Sequence, residues 1–202
     1  MTELYIDDNK IEYEDTDNNS TVGDFIREVE KELFDVKQLI IGVEVDGDPA
    51  EDIYARELLD SPVAEHKEVR LSTAPLKVLL DEGIKVCNQY IPHIKGAIGV
   101  IIETLRAGKN DESFSLMPGL FDALNEFVRT LAVINSNVVR FNLPLFKEPP
   151  TETYEGLVAH LGEMLTARDS GDLILVGDLL EYEITPIIIK LEKLLLESEM
   201  DF

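Results

Sequence analysis

The residues able to do chemistry in this chain are few, and their spacings argue against most of what they could do. The 202 residues hold three histidines and one cysteine. A di-metal centre in a helical bundle is built from Glu plus a Glu-x-x-His motif on each of two helices. None of His66, His93 and His160 has Glu three residues before it. His93 follows Pro92, and His160 lies five residues after Glu155, so both read as helix-surface residues. Asp15, Asp17 and Asn19 match the first three ligand positions of a calcium loop. That loop also needs Gly at its sixth position and a bidentate Glu at its twelfth, where this chain has Ser20 and Ile26. The glycosylation sequon around Asn18 and Asn19 has no secretory context.

Nucleophile motifs fare no better. A Ser-His-Asp reading fails because there is no Gly-x-Ser-x-Gly elbow, and neither a Walker A loop nor a dinucleotide fingerprint is present. Cys87 falls on the apolar stripe of a helix and reads as a buried thiol. Gly96-Ala97-Ile98-Gly99 spells the Gly-x-x-Gly of nucleic-acid-binding KH loops, but inside a helical pattern close helix–helix contact explains it better. Asp178, Glu181 and Glu183 interrupt the most apolar helix, with Asp178 and Glu181 on one face. Buried, such a pair could do acid–base work; the pattern reads instead as the strip of that helix that meets water. The expectation is no catalytic residue, no cofactor and no metal.

The elements that carry these residues change character at Pro75. Before it, Leu4-Tyr5-Ile6 and Ile11-Glu12-Tyr13 flank Asp7-Asp8-Asn9-Lys10, which reads as a hairpin. Thr21-Val22-Gly23-Asp24 resembles a capping box, and Phe25, Ile26, Val29, Leu33 and Phe34 follow at helical spacing. Gln38 to Val45 is a strand ended by the Asp46-Gly47-Asp48 turn. Glu68 to Thr73 is a last strand, with Val69 and Leu71 on one face and Arg70 and Ser72 on the other. The order of hairpin, helix, strand, irregular segment and strand resembles the β-grasp arrangement of ubiquitin-like domains, over residues 1–74. That resemblance implies one helix across a mixed sheet. It does not imply conjugation or sulfur-carrier chemistry, because the module ends Ser72-Thr73-Ala74-Pro75 instead of in a free Gly-Gly tail. What it leaves is a platform for protein interaction.

After Pro75 four amphipathic helices are expected. The first runs from about Pro75 to Ala107, with a kink or split at Pro92 after Tyr90. The second runs from about Met117 to Phe141, with Pro118 in its first turn. The third covers Thr151 to Ala167, with Tyr154, Leu157, Val158, Leu161, Met164 and Leu165 on one face. The fourth covers Asp172 to Ser198 and is interrupted by Pro186. The fold class is therefore α+β: a β-grasp-like domain over 1–74 followed by an up-and-down four-helix bundle over 75–202.

The fourth helix carries more apolar faces than a bundle requires. Beside a core stripe of Leu173, Val176, Leu180, Ile184, Ile187 and Leu191, a second stripe holds Leu175, Leu179, Tyr182 and Ile189. That second stripe is the candidate partner-binding surface.

Composition bounds the rest. The chain has a formal net charge of -23, which disfavours nucleic acid and anionic lipid as partners. No apolar run approaches the length of a membrane span. With one cysteine and no signal sequence, the cytoplasm is the expected compartment. The chain reads as a non-enzymatic, cytoplasmic adaptor, chaperone or regulatory subunit that binds another protein. Two rivals stand beside it: an enzyme whose scattered carboxylates converge in space, and an acidic inhibitor that mimics nucleic acid. A homo-oligomer is compatible with all three.

Overall fold

The computed structural model describes residues 2–12, 20–148 and 150–199. Tyr13, the Asp15-Asp17-Asn19 spacing, the sequon asparagines and Pro149 lie outside the described residues. The chain divides into two compact units, Met1–Leu79 and Leu80–Phe202.

The first unit holds a five-stranded mixed sheet of order β2-β1-β5-β3-β4. Strands β1 (Glu3–Ile6) and β2 (Asn9–Ile11) form the expected hairpin. Ile6 pairs with Asn9, so the turn is only Asp7-Asp8. Asp7 sits at φ 53°, a left-handed conformation that Asp tolerates better than most residues. Its carboxylate accepts from the Thr73 amide and hydroxyl, both at 2.8 Å, and this ties the turn to β5. Helix α1 (Val22–Asp35) starts on a true capping box. The Thr21 hydroxyl accepts from the Asp24 amide, and the Asp24 carboxylate accepts from the Thr21 amide. That backbone bond, reinforced by Arg27, lowers the Asp24 carboxyl to about 2.

Strand β3 (Gln38–Val45) turns through Asp46 and Gly47 into β4 (Asp48–Pro49). Both turn residues have positive φ, which is the conformation a two-residue Asp-Gly hairpin requires. β4 is two residues long because Pro49 cannot continue a ladder; nothing in the hydropathy pattern announces it. The segment that follows contains only α2 (Arg56–Leu59) and a single 3-10 turn at Val63–Glu65. Strand β5 (Glu68–Pro75) then runs between β1 and β3, parallel to β1 and antiparallel to β3. A bulge at Ile41 leaves that residue half exposed. Val69 and Leu71 are fully buried and join Leu4, Phe25, Ile26, Val29 and Val43 in one core between α1 and the sheet. Gly23 is required here, since a Cβ on it would stand 2.8 Å from the Leu59 carbonyl oxygen.

The helical part contains α3 (Leu76–Arg106), α4 (Asn110–Arg140), α5 (Thr151–Ser170), α6 (Leu173–Asp178) and α7 (Thr185–Leu196). A π-helical turn, Leu179–Ile184, joins α6 to α7, so these three pieces make one rod. Each rod packs against the next in an antiparallel sense. Gly83 of α3 faces Ile134 of α4, and Thr104 meets Ser113. Arg168 of α5 stacks on Phe121 of α4, and Thr151 donates to Asn135. His160 of α5 contacts Glu183, and Gly156 faces Ile187. The fourth rod closes on the first through Lys95–Glu192 and Arg106–Glu181. This is an up-and-down four-helix bundle, and the whole chain is α+β.

Three sequence expectations need correction. Pro92 does not split α3, which is one continuous helix. The ring is exposed while its neighbours Ile91 and Ile94 are buried. The carbonyl that loses its donor therefore meets water, and core packing holds the helix through the gap. α4 begins at Asn110, not near Met117, and Pro118 is internal on an exposed face. Asp111 and Glu112 favour the earlier start because acids complement a helix N-terminus. Gly96 and Gly99 make no close helix contact; a Cβ on either would meet nothing within 4 Å.

The two units carry separate cores, and this predicts separate folding. A fragment of residues 1–79 should give dispersed amide NMR signals, and one of residues 80–202 should unfold cooperatively with helical circular dichroism. Loss of structure in either fragment alone would mean that the two share a core.

Candidate functional site

Polar clusters are the first places to look for chemistry. In the first unit the structure brings together Ser61, His66 and Asp46, which no sequence motif signals. His66 Nε2 is 3.1 Å from the Ser61 hydroxyl, and Nδ1 is 3.6 Å from an Asp46 carboxylate oxygen. The set has the residue types of a hydrolytic triad without its working geometry. The Ser61 hydroxyl donates to the Leu58 carbonyl at 2.7 Å, so its proton is already committed. Asp46 accepts from the Lys67 and Glu68 amides at 2.6 and 3.0 Å. The Glu68 amide first, then that of Lys67, holds its carboxyl below the ordinary range. These bonds fasten the 61–68 segment to the β3–β4 turn. A surface depression lies apart from this cluster, along Asp24, Arg27 and Glu28 of α1.

The remaining candidates are Cys87, His93 and His160. Cys87 is fully buried, and desolvation pushes its thiol up to about 12. His93 is exposed, and His160 bridges α5 to the π turn through Glu163 at 3.2 Å and Glu183 at 3.6 Å. Among the described residues no three His, Cys, Asp or Glu stand together in a metal-binding arrangement. Among them, too, no helix is long and apolar enough to cross a membrane. Asp178, Glu181 and Glu183 face outward; Glu181 pairs with Arg106 and Glu183 with His160.

The apolar candidate surface is different in kind. Leu175, Tyr182 and Ile189 are 43%, 62% and 50% exposed, and Ile174 beside them is 79% exposed. Leu179 is buried and belongs to the core, a departure from the expected stripe. Leu179 follows Val176 by three residues, ordinary spacing for a core face. The π turn acts on the residues beyond it. Pro186 has no amide hydrogen, and its ring crowds the carbonyl four residues back. The backbone widens there, so the Thr185 amide bonds to the Leu180 carbonyl, five residues back. The Thr185 hydroxyl donates to the same carbonyl at 2.6 Å.

Widening adds a residue to one turn and rotates every side chain beyond it. Both Leu179 and Leu180 enter the core ahead of Ile184. Ile188 takes the buried place expected for Ile187, which is half-buried. The four candidates therefore do not form one stripe. Tyr182 precedes Glu183, which reaches α5. Ile189 lies three residues before Glu192, which pairs with Lys95 of α3. Tyr182 also follows Glu181, which reaches α3, so it stands between the two neighbours and faces outward, as Leu175 does on α6.

α5 departs from its expected face as well. Thr153 and Ala167 are buried, while Val158 and Leu165 are 43% and 39% exposed. Next to the buried Ala167, the Arg168 guanidinium lies 4.9 Å from the Phe121 ring centre of α4.

Residues 82–194 match the family model described as Domain of unknown function (DUF8042). Residues 2–75 match the model of the TP0873 N-terminal domain. No curated protein and no solved structure matches the chain.

Burial of Cys87 predicts its reactivity. In the folded protein at pH 8 it should resist a thiol reagent such as DTNB, and one equivalent should react at once in denaturant. Rapid labelling of the folded protein would show a thiolate that this geometry does not provide.

Proposed function

We propose, on the premise that the chain belongs to the DUF8042 family, that it is a non-enzymatic protein-binding adaptor, chaperone or regulatory subunit of the cytoplasm. The observation that carries this reading is the outer face of the fourth rod. Leu175 and Tyr182 stand two helical turns apart, both exposed, on a rod whose core needs are already met by Val176, Leu179, Leu180 and Ile184. Large apolar side chains set together on a surface mark an interaction site more often than a catalytic one. Tyr is also favoured at the centre of interfaces, where its ring supplies area at small entropic cost.

The first unit supports the same reading. One helix packed across a mixed sheet is the arrangement that ubiquitin-like domains offer to partners, and β5 ends at Pro75 directly before α3, with no free tail for transfer chemistry. The polar clusters described above are each satisfied internally, which leaves the enzyme reading without a placed nucleophile or acid–base pair.

Affinity purification from the native cell tests the proposal. The wild-type chain should retain a protein that is lost with Leu175→Asp/Tyr182→Asp and kept with Val133→Asp, a control at an exposed valine on α4. A retained partner indifferent to the Leu175 and Tyr182 changes would place the site elsewhere.

A further inference from the structure

The charge of the helical unit is not spread evenly. From residue 76 to 147, across α3 and α4, there are seven Asp and Glu against eight Lys and Arg. From residue 148 to 189, across α5, α6 and the π turn, there are nine Asp and Glu against one Arg. That one cation, Arg168, is held by Asp169 at 2.7 Å and by the Phe121 ring. The exposed apolar residues Leu175 and Tyr182 lie within this acidic half. Between them is Asp178, three residues from one and four from the other, a spacing that stacks all three on one helix face. Asp178 is exposed and has no cation in ion-pair reach among the described residues. Glu183, beside Tyr182, meets His160 and no Lys or Arg among the described residues.

We infer that the outer face of the fourth rod docks a basic amphipathic helix of a partner protein, with Leu175 and Tyr182 as apolar anchors and Asp178 and Glu183 facing its Lys or Arg. This deepens the proposed function and rests on it. Charge selects the occupant. A second copy of the chain would bring a surface of the same sign, and juxtaposed like charges cost several kcal/mol. Nucleic acid and anionic lipid are repelled for the same reason. A cationic helix with a leucine face satisfies both halves of the surface: its apolar stripe covers the anchors, and its flanking charges neutralise acids that meet no Lys or Arg among the described residues.

Binding of fluorescein-labelled model helices to the full chain tests this by anisotropy at 150 mM salt. Three peptides share one leucine stripe and differ in polar residues, which are Lys, Glu or Gln. The Leu/Lys peptide should bind and the other two should not. Leu175→Asp/Tyr182→Asp should raise its Kd at least tenfold, although it adds two negative charges. Asp178→Asn/Glu183→Gln should also weaken binding and flatten its salt dependence, whereas Glu28→Gln/Glu32→Gln on α1 should change it less than twofold. Circular dichroism checks that each variant keeps its fold.

Unchanged or tighter binding by the Leu175 and Tyr182 variant would mean that diffuse charge holds the peptide, and would overturn the inference. Equal binding of the Leu/Gln or Leu/Glu peptide, lost in that variant, would overturn the basic partner and leave the docking face standing. Binding of none of the three would overturn the inference and leave the affinity purification to decide the wider proposal. Self-association in sedimentation, abolished by Tyr182→Asp, would assign the face to a second copy and overturn it too.

Discussion

A missing hydrogen organises the fourth rod of the bundle. Pro186 cannot donate to the turn beneath it, and its ring excludes the carbonyl that an α-helix would place there. The chain responds by widening one turn instead of breaking, and the Thr185 amide and hydroxyl both converge on the Leu180 carbonyl. Beyond the turn the helix resumes with Pro186 in the first turn of α7, where no amide donor is needed. Which apolar residues of α7 enter the core follows from that adjustment: Ile188 is buried where a constant period expects Ile187.

The consequence is a rod with two different exteriors. Toward α3 it is bound by Lys95–Glu192 and Arg106–Glu181, which consume cations of α3. Toward α5 Glu183 meets His160, and Leu175 and Tyr182 are exposed on the outer face. Solvent-exposed ion pairs of the first kind contribute little to stability, about 0–1 kcal/mol each. Their larger effect is to neutralise one edge and leave the other edge charged.

How much of this the sequence reveals depends on the range of the interaction. Local chemistry is plain to read. The Thr21–Asp24 capping box, the Asp46-Gly47 turn and the alternation of Val69 and Leu71 with Arg70 and Ser72 each involve residues a few positions apart, and each forms. The four rods are legible for the same reason, since a core stripe is a local period. Prolines mislead because their effect depends on which face they occupy. Pro92 and Pro118 lie on exposed faces and leave their helices continuous, while Pro186 changes the period of its helix without ending it. A stripe extrapolated across Pro186 at a constant period therefore joins residues that stand on different sides. Leu175 and Tyr182 can be read from the sequence as surplus to the core, and Leu179 as core from its spacing to Val176; Ile189 cannot be placed without the π turn. The Ser61–His66–Asp46 cluster is invisible in sequence because its members come from a turn, a loop and a strand entrance with no fixed spacing.

The account stands or falls on the five-residue hydrogen bond at the π turn. Scalar coupling across hydrogen bonds, read by long-range NMR on isotope-labelled protein, reports each amide's acceptor directly. The Thr185 amide should couple to the Leu180 carbonyl. Coupling to the Glu181 carbonyl would mean an ordinary α-helical turn and an unrotated α7, and would contradict the burial of Ile188 in place of Ile187.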